Sequence, residues 1–159
     1  MKYRQLSKEQ FEALNKEFAQ FLASQQVDAK EWATIKKKKP EVANEELNLF
    51  SDLVWDDALT KTNYLEHFSK TNINLFKCEP KLISRIVVQI SKPDFDFFIV
   101  DDYKWFVDNT NDKSIQFLKG SKKYTKGRNL ELFDLVEKGS VISDGKLYES
   151  LQLLITNKV

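Results

Sequence analysis

The sequence predicts an α+β protein with N-terminal helices, a central antiparallel sheet of about four strands and C-terminal helices. Three observations predict it. Apolar residues recur every three or four positions through the first 60 residues. Short β-branched or aromatic runs separated by polar residues replace that period between 62 and 91. Helical spacing then returns after Asn129.

The first helix is announced by "LSKEQF". Ser7 stands at the N-cap with Gln10 three residues on, a capping box, and Leu6 and Phe11 form the flanking hydrophobic staple. Phe11, Leu14, Phe18, Phe21 and Leu22 then mark one buried stripe. Val27, Asp28, Glu31 and Trp32 repeat the staple, cap and box for a second helix. It ends in Lys36 to Lys39, cations that suit the negative end of a helix dipole. Pro40 fits the first turn of a third helix, whose Ala43, Leu47, Phe50, Val54 and Ala58 lie on one side.

"TNYLEHFS", "NINLFKC" and "ISRIVVQIS" read as three strands, the first two joined by a hairpin over "KTN" at 70 to 72. That loop sets Tyr64 opposite Cys78 and His67 opposite Leu75. Residues 95 to 107 fit a helical stripe and, in part, a strand, so both remain open. "SIQFLKGSKKYT" reads as a further strand. Asn129 is placed to cap a helix carrying Leu130, Phe133 and Val136 and closed by Gly139. A last helix starts near Ser143 and buries Leu147, Tyr148, Leu151, Leu154 and Ile155. The chain reads as one domain over 1–159, with the change of texture near 62 as the place where a subdomain boundary would fall.

Composition excludes several functions. Lysines and arginines number 25 against 24 acids, a net charge of +1, so no global charge draws the chain to nucleic acid or an acidic membrane. Cys78 is the single cysteine, which rules out an intramolecular disulfide and a multi-thiolate zinc site. "MKYRQLSKEQ" has no apolar signal-peptide core, and no run approaches the ~20 apolar residues that span a bilayer. A soluble cytoplasmic protein without a cofactor, metal or membrane partner is the expectation.

Candidate chemistry lies in four places. Asp94, Asp102 and Lys104 imitate the two carboxylates and lysine of metal-dependent nucleases, where the acids hold Mg²⁺ and the lysine steadies a water or phosphate. Only seven residues separate the two acids, too few for two strands and a turn. His67 and Cys78 are the only residues of their kinds, but the hairpin above puts them roughly 10 Å apart on opposite faces, which precludes a dyad. Residues 94–112 carry six acids and one lysine, and residues 113–128 carry six bases and no acid. Side by side the two segments would neutralise each other. Apart, Lys122, Lys123, Lys126 and Arg128 would contact phosphates, with Tyr124 stacking on a base. Finally, Trp55, Asp56 and Asp57 stand late on the third helix, where carboxylates oppose the dipole: they mark a ligand or partner contact, or they pair with Lys61 or a distant arginine.

"MKYRQL" (1–6), "FSDLVWDD" (50–57), "YLEHFS" (64–69) and "KGSKKY" (119–124) together resemble a small uncharacterised protein family of bacteroidete bacteria. The resemblance covers nearly the whole chain. It implies a bacterial cytosolic protein and brings no activity, cofactor or site residue with it.

No catalytic constellation survives these geometric tests, yet charge is segregated and aromatics abound. The reading favoured is a non-enzymatic interaction or adaptor protein whose partner is another macromolecule, protein first. Its contact elements are Lys122 to Arg128 and Trp55 to Asp57. Nucleic-acid binding, RNA above all, through the basic loop 119–128 is the second reading. A metal-dependent phosphodiesterase or nuclease is the third.

Overall fold

The computed structural model describes residues 1–157 and divides by its internal contacts into two units, Met1–Thr60 and a second beginning at Lys61. In the first unit the capping signals act where the sequence puts them. The Ser7 hydroxyl accepts from Gln10 N at 3.2 Å and Ser7 N donates to Gln10 Oε1 at 2.8 Å, closing the box that starts α1 (Lys8–Ala13). The expected single helix is two. At Leu14 the backbone leaves the helical region, with φ −108° and ψ 23°, and α2 (Asn15–Ser24) follows. The bend has a packing consequence. Phe11, Phe18 and Phe21 all reach Phe50, with ring centroids 6.1, 5.1 and 5.4 Å away.

Asp28 accepts from Glu31 N at 2.7 Å to begin α3 (Ala29–Lys38), whose last turn holds Lys36, Lys37 and Lys38. Trp32 packs edge-on against Phe18 at 5.3 Å. Pro40, whose missing N–H costs nothing at a first helical position, opens α4 (Pro40–Thr60). Ser51, fully buried on α4, accepts from Leu6 N at 2.9 Å and donates to Leu47 O at 2.7 Å. Asp52 accepts from Lys2 N and Tyr3 N at 2.7 and 2.9 Å. These bonds tie the N-terminal segment along α4.

The second unit is built on five strands: β1 (Tyr64–Phe68), β2 (Asn72–Cys78), β3 (Leu82–Ile90), β4 (Ile115–Lys123) and β5 (Val141–Ser143). They form one antiparallel sheet in the order β4-β3-β2-β1-β5. The α+β class is therefore as the sequence predicts, with β5 a strand that three exposed or half-exposed residues did not announce.

The first hairpin is one residue out of the expected register. Tyr64 pairs with Lys77 and His67 with Asn74, rather than Tyr64 with Cys78 and His67 with Leu75. The cause is the turn. Ser69 N donates to Asn72 O at 2.8 Å, so the loop is Lys70–Thr71 alone, and Asn72 joins β2 opposite Gln89 of β3. A one-residue shift changes every cross-strand partner.

Alternation gives the sheet two faces. On one, Ile73, Leu75, Ile86, Val88 and Ile90 meet Phe95, Phe97 and Phe106, and Tyr148 and Leu151, in a single core. Residues 95–107 settle as a turn followed by α5 (Val100–Asp108), and Phe97 N donates to Lys70 O at 2.8 Å. α7 (Lys146–Thr156) starts three residues beyond Ser143, which ends β5. The other face carries Leu65, Asn74, Phe76, Cys78, Ile83, Arg85, Val87, Leu118 and Gly120 by register.

α6 (Arg128–Glu137) supplies Leu132, which is fully buried, and Leu135. Its N-cap is Gly127, with φ +103°, not Asn129, which lies inside the first turn. Gly139, at φ +108°, ends it as expected. Gly139 N reaches Val136 O and Ser140 N reaches Leu135 O, both at 3.0 Å, the paired bonds of a left-handed glycine cap.

Candidate functional site: a basic groove beside the β4 edge

A groove of about 800 Å³ opens between the second sheet face and α6. Its floor is apolar: Phe76, Ile83, Val87 and Leu118 on the strands, Leu135 on the helix. Strand alternation explains the floor, since Phe76 of β2, Ile83 and Val87 of β3 and Leu118 of β4 fall on one face, with Arg85 and Gly120 abreast of Phe76. Gly120 deepens it. A Cβ built there meets nothing within 4 Å, so the side-chain layer has a gap between Leu118 and Lys122.

The rim is charged. Lys122 pairs with Glu131 at 3.1 Å and Lys126 with Asp134 at 3.2 Å, and Lys138 adds a further cation, while Arg85 rises from the floor itself between Ile83 and Val87 of β3. Arg85 Nε donates to Asn74 Oδ1 at 3.0 Å, and its guanidinium lies 5.7 Å from the Phe76 ring. Glu131 orders the loop that leads to α6. Its carboxylate also accepts from Thr125 N at 2.7 Å and Lys126 N at 3.3 Å. Burial works to raise the Glu131 carboxyl. The ammonium of Lys122 and the two N–H groups outweigh it and hold the group below its ordinary value.

The sequence singled out Lys122, Lys123, Tyr124, Lys126 and Arg128, and the structure separates them into two roles. Lys122 and Lys126 line the groove, and Lys123 stands at the end of β4. Tyr124 and Arg128 hold the backbone. The Tyr124 hydroxyl donates to Glu79 O at 2.8 Å, and burial pushes it up to about 12. Arg128 donates to Thr62 O, to Cys78 O at 3.1 Å and to Asn129 Oδ1 at 3.0 Å. The acids that meet the basic loop are Glu131 and Asp134 of α6.

Sequence reasoning missed Arg85, Gly120, Glu131 and Asp134. An acid in the first turn of α6 was legible. The pairing that brings Arg85 beside Gly120 was not, because strand order decides it.

Trp55 and Asp56 belong to the first unit. Arg4 lies over the Trp55 ring at 4.9 Å. Asp56 accepts from Tyr3 Oη and pairs with Lys2 at 3.3 Å. Asp57, beside them on α4, also has interactions of its own. Asp56 thus has a cationic and a phenolic partner from the N-terminal segment.

Asp102 accepts from Asp96 N at 3.0 Å, and Asp96 from Phe98 N at 2.8 Å, so both carboxylates shape the turn before α5. Asp94 sits in that turn at φ +59°, and Lys104 lies on α5. Among the described residues no group of three or more His, Cys, Asp or Glu side chains comes together in a way that could hold a metal ion.

His67 and Cys78 share a face, a correction that follows from the register. Cys78 N donates to Asn63 O at 2.8 Å, and His67 is four residues along from Asn63, roughly 13 Å at ~3.3 Å per residue. Distance alone separates them. Burial raises the Cys78 thiol to about 11, a shift the Arg128 charge only moderates.

Among the described residues no helix is long and apolar enough to cross a membrane. No curated protein and no solved structure matches the chain. A model of the family of unknown function DUF6495 matches residues 1–156, and the chain belongs to that family.

Proposed function

We propose that this chain is a non-enzymatic interaction protein of the bacterial cytoplasm, and that the groove between the second sheet face and α6 receives a protein partner. One observation carries the reading. The groove joins an apolar floor to a rim of mixed charge, the composition of a protein-binding surface with a hydrophobic centre and polar margin. Glu131 and Asp134 on its wall favour protein over nucleic acid, because two carboxylates beside Lys122 and Lys126 weaken the attraction for phosphate.

The test is affinity capture from native lysate with the wild-type chain and with Gly120→Trp, which fills the gap in the floor. Lysates are treated with nuclease and washed at two salt concentrations. A protein held by the wild type after nuclease and lost by Gly120→Trp supports the reading. Identical proteins on both baits, or none on either, overturn it. Capture that vanishes with nuclease or moderate salt transfers the function to RNA or DNA.

A further inference from the structure

β4 is an edge strand of nine residues, hydrogen-bonded on one side to β3. Its register shows which groups face outward. Ser91 N donates to Ser114 O, so 114 and 91 form a bonded pair, and bonded pairs alternate along an antiparallel ladder. Gln116, Leu118, Gly120 and Lys122 therefore bond to β3. Lys119, Ser121 and Lys123 turn their N–H and C=O groups to the open edge.

Natural sheets blunt such edges with bulges, prolines, brevity or charge. This one has lysine alone, and its outer half is exposed on both faces. On the groove face the edge offers Leu118, the gap over Gly120 and Lys122; by register the Lys119 and Lys123 side chains leave from the opposite face, with Lys119 also bordering the groove.

From this geometry we infer that β4 takes an extended acidic peptide as a sixth strand, with apolar side chains entering the groove and acidic ones meeting Lys119 and Lys123. The inference rests on the proposed protein-binding function and names the partner's chemistry. Strand period two decides the alternation. A peptide laid beside β4 puts every second side chain toward Leu118 and Gly120, where the floor is apolar. The intervening side chains stand beside two lysines, and complementary charge there fixes register as well as partner. Backbone bonds at Lys119, Ser121 and Lys123 supply affinity independent of the peptide's sequence.

The experiment selects a displayed library of random peptides of about twelve residues on the full chain. Acidic sequences in which apolar and acidic residues alternate are the expected product. An enriched peptide should bind at least tenfold more weakly when its amides are methylated at every second position along the edge-facing register. It should do the same against Ser121→Pro, whose lost N–H points to solvent, but not against Ser121→Ala. Should Ser121→Pro fail to fold, methylated peptides on the wild type give the same answer.

Enrichment of basic or proline-rich peptides, no enrichment, or indifference to methylation overturns strand addition. The proposed function can survive that result: a lysate protein lost by Gly120→Trp would then dock as a folded surface. Loss of both results removes the groove altogether.

Discussion

Gly145 lies against the ring of Tyr64. A Cβ built at Gly145 would stand 2.6 Å from Tyr64 Cγ, inside any real contact, and Gly145 holds φ +82°, where side chains are strained. The contact seats the start of α7 on β1, and Tyr64 Oη then donates to Glu149 Oε1 at 2.6 Å one turn on. Gly145→Ala is expected to cost about 3 kcal/mol, through overlap and backbone strain together. Thermal unfolding should show the midpoint lowered by about 10 °C. Gly120→Ala is the control: its Cβ enters open space and the midpoint should stay within about 2 °C. Equal effects from the two would contradict this account of Gly145.

Arg128 is a clasp on the backbone. It serves carbonyls at Thr62 and Cys78, at the start of the unit and the end of β2. Arg128→Met keeps the bulk of the stem and strands both acceptors, an expected loss of about 2–3 kcal/mol. Denaturant unfolding would register it as a lower midpoint at unchanged slope. An unchanged midpoint would show that water replaces the guanidinium without loss.

Glu149 makes stability depend on acid. The Tyr64 hydroxyl first, then the Lys77 ammonium at 3.0 Å, hold its carboxyl below the ordinary value of 4.5. A group whose folded value is depressed stabilises fully above its unfolded value and loses that contribution as pH falls through the folded one. The wild type should therefore lose stability below about pH 4.5 more steeply than Glu149→Gln. Because Glu149 is 46% exposed, solvent screens the pair and the difference in slope should be small. Parallel acid limbs in the two proteins would deny Glu149 any part in it.

Cys78 should be slow to react. Its thiol sits near 11 and its residue is 3% exposed, so little thiolate exists at pH 8 and little of it is reachable. Alkylation of the native chain at that pH is expected to run at least tenfold slower than in denaturant. Comparable rates would place Cys78 at the surface.

Local signals in this chain were legible because they act between near neighbours. The Ser7–Gln10 box, the Asp28 cap, Pro40 at the head of α4 and the Gly139 stop each depend on residues within a few positions, and each lies where the spacing puts it. The antiparallel class was legible too, since short runs and short loops leave little else. A break in those signals goes with packing. Leu14 bends a stripe that reads as one helix, and Phe11, Phe18 and Phe21 meet Phe50 from both sides of the bend.

The candidate site was half legible. The lysines of 119–128 stood out by charge, but charge alone gave them one role. What separates Arg128 and Tyr124 from Lys122 and Lys126 is which distant groups they meet: Thr62, Cys78 and Glu79 for the first pair, Glu131 and Asp134 for the second.

By itself the sequence determined the class, the helix starts at Ser7, Asp28 and Pro40, four of the five strands and the basic run, since propensity, capping and charge are properties of adjacent residues. Only the tertiary structure decided the one-residue register, the strand order that leaves β4 at the edge, and the gap over Gly120. Hydrogen-bond ladders join residues far apart in the chain. A side chain's face, neighbours and exposure follow from that pairing and not from the residue's own identity.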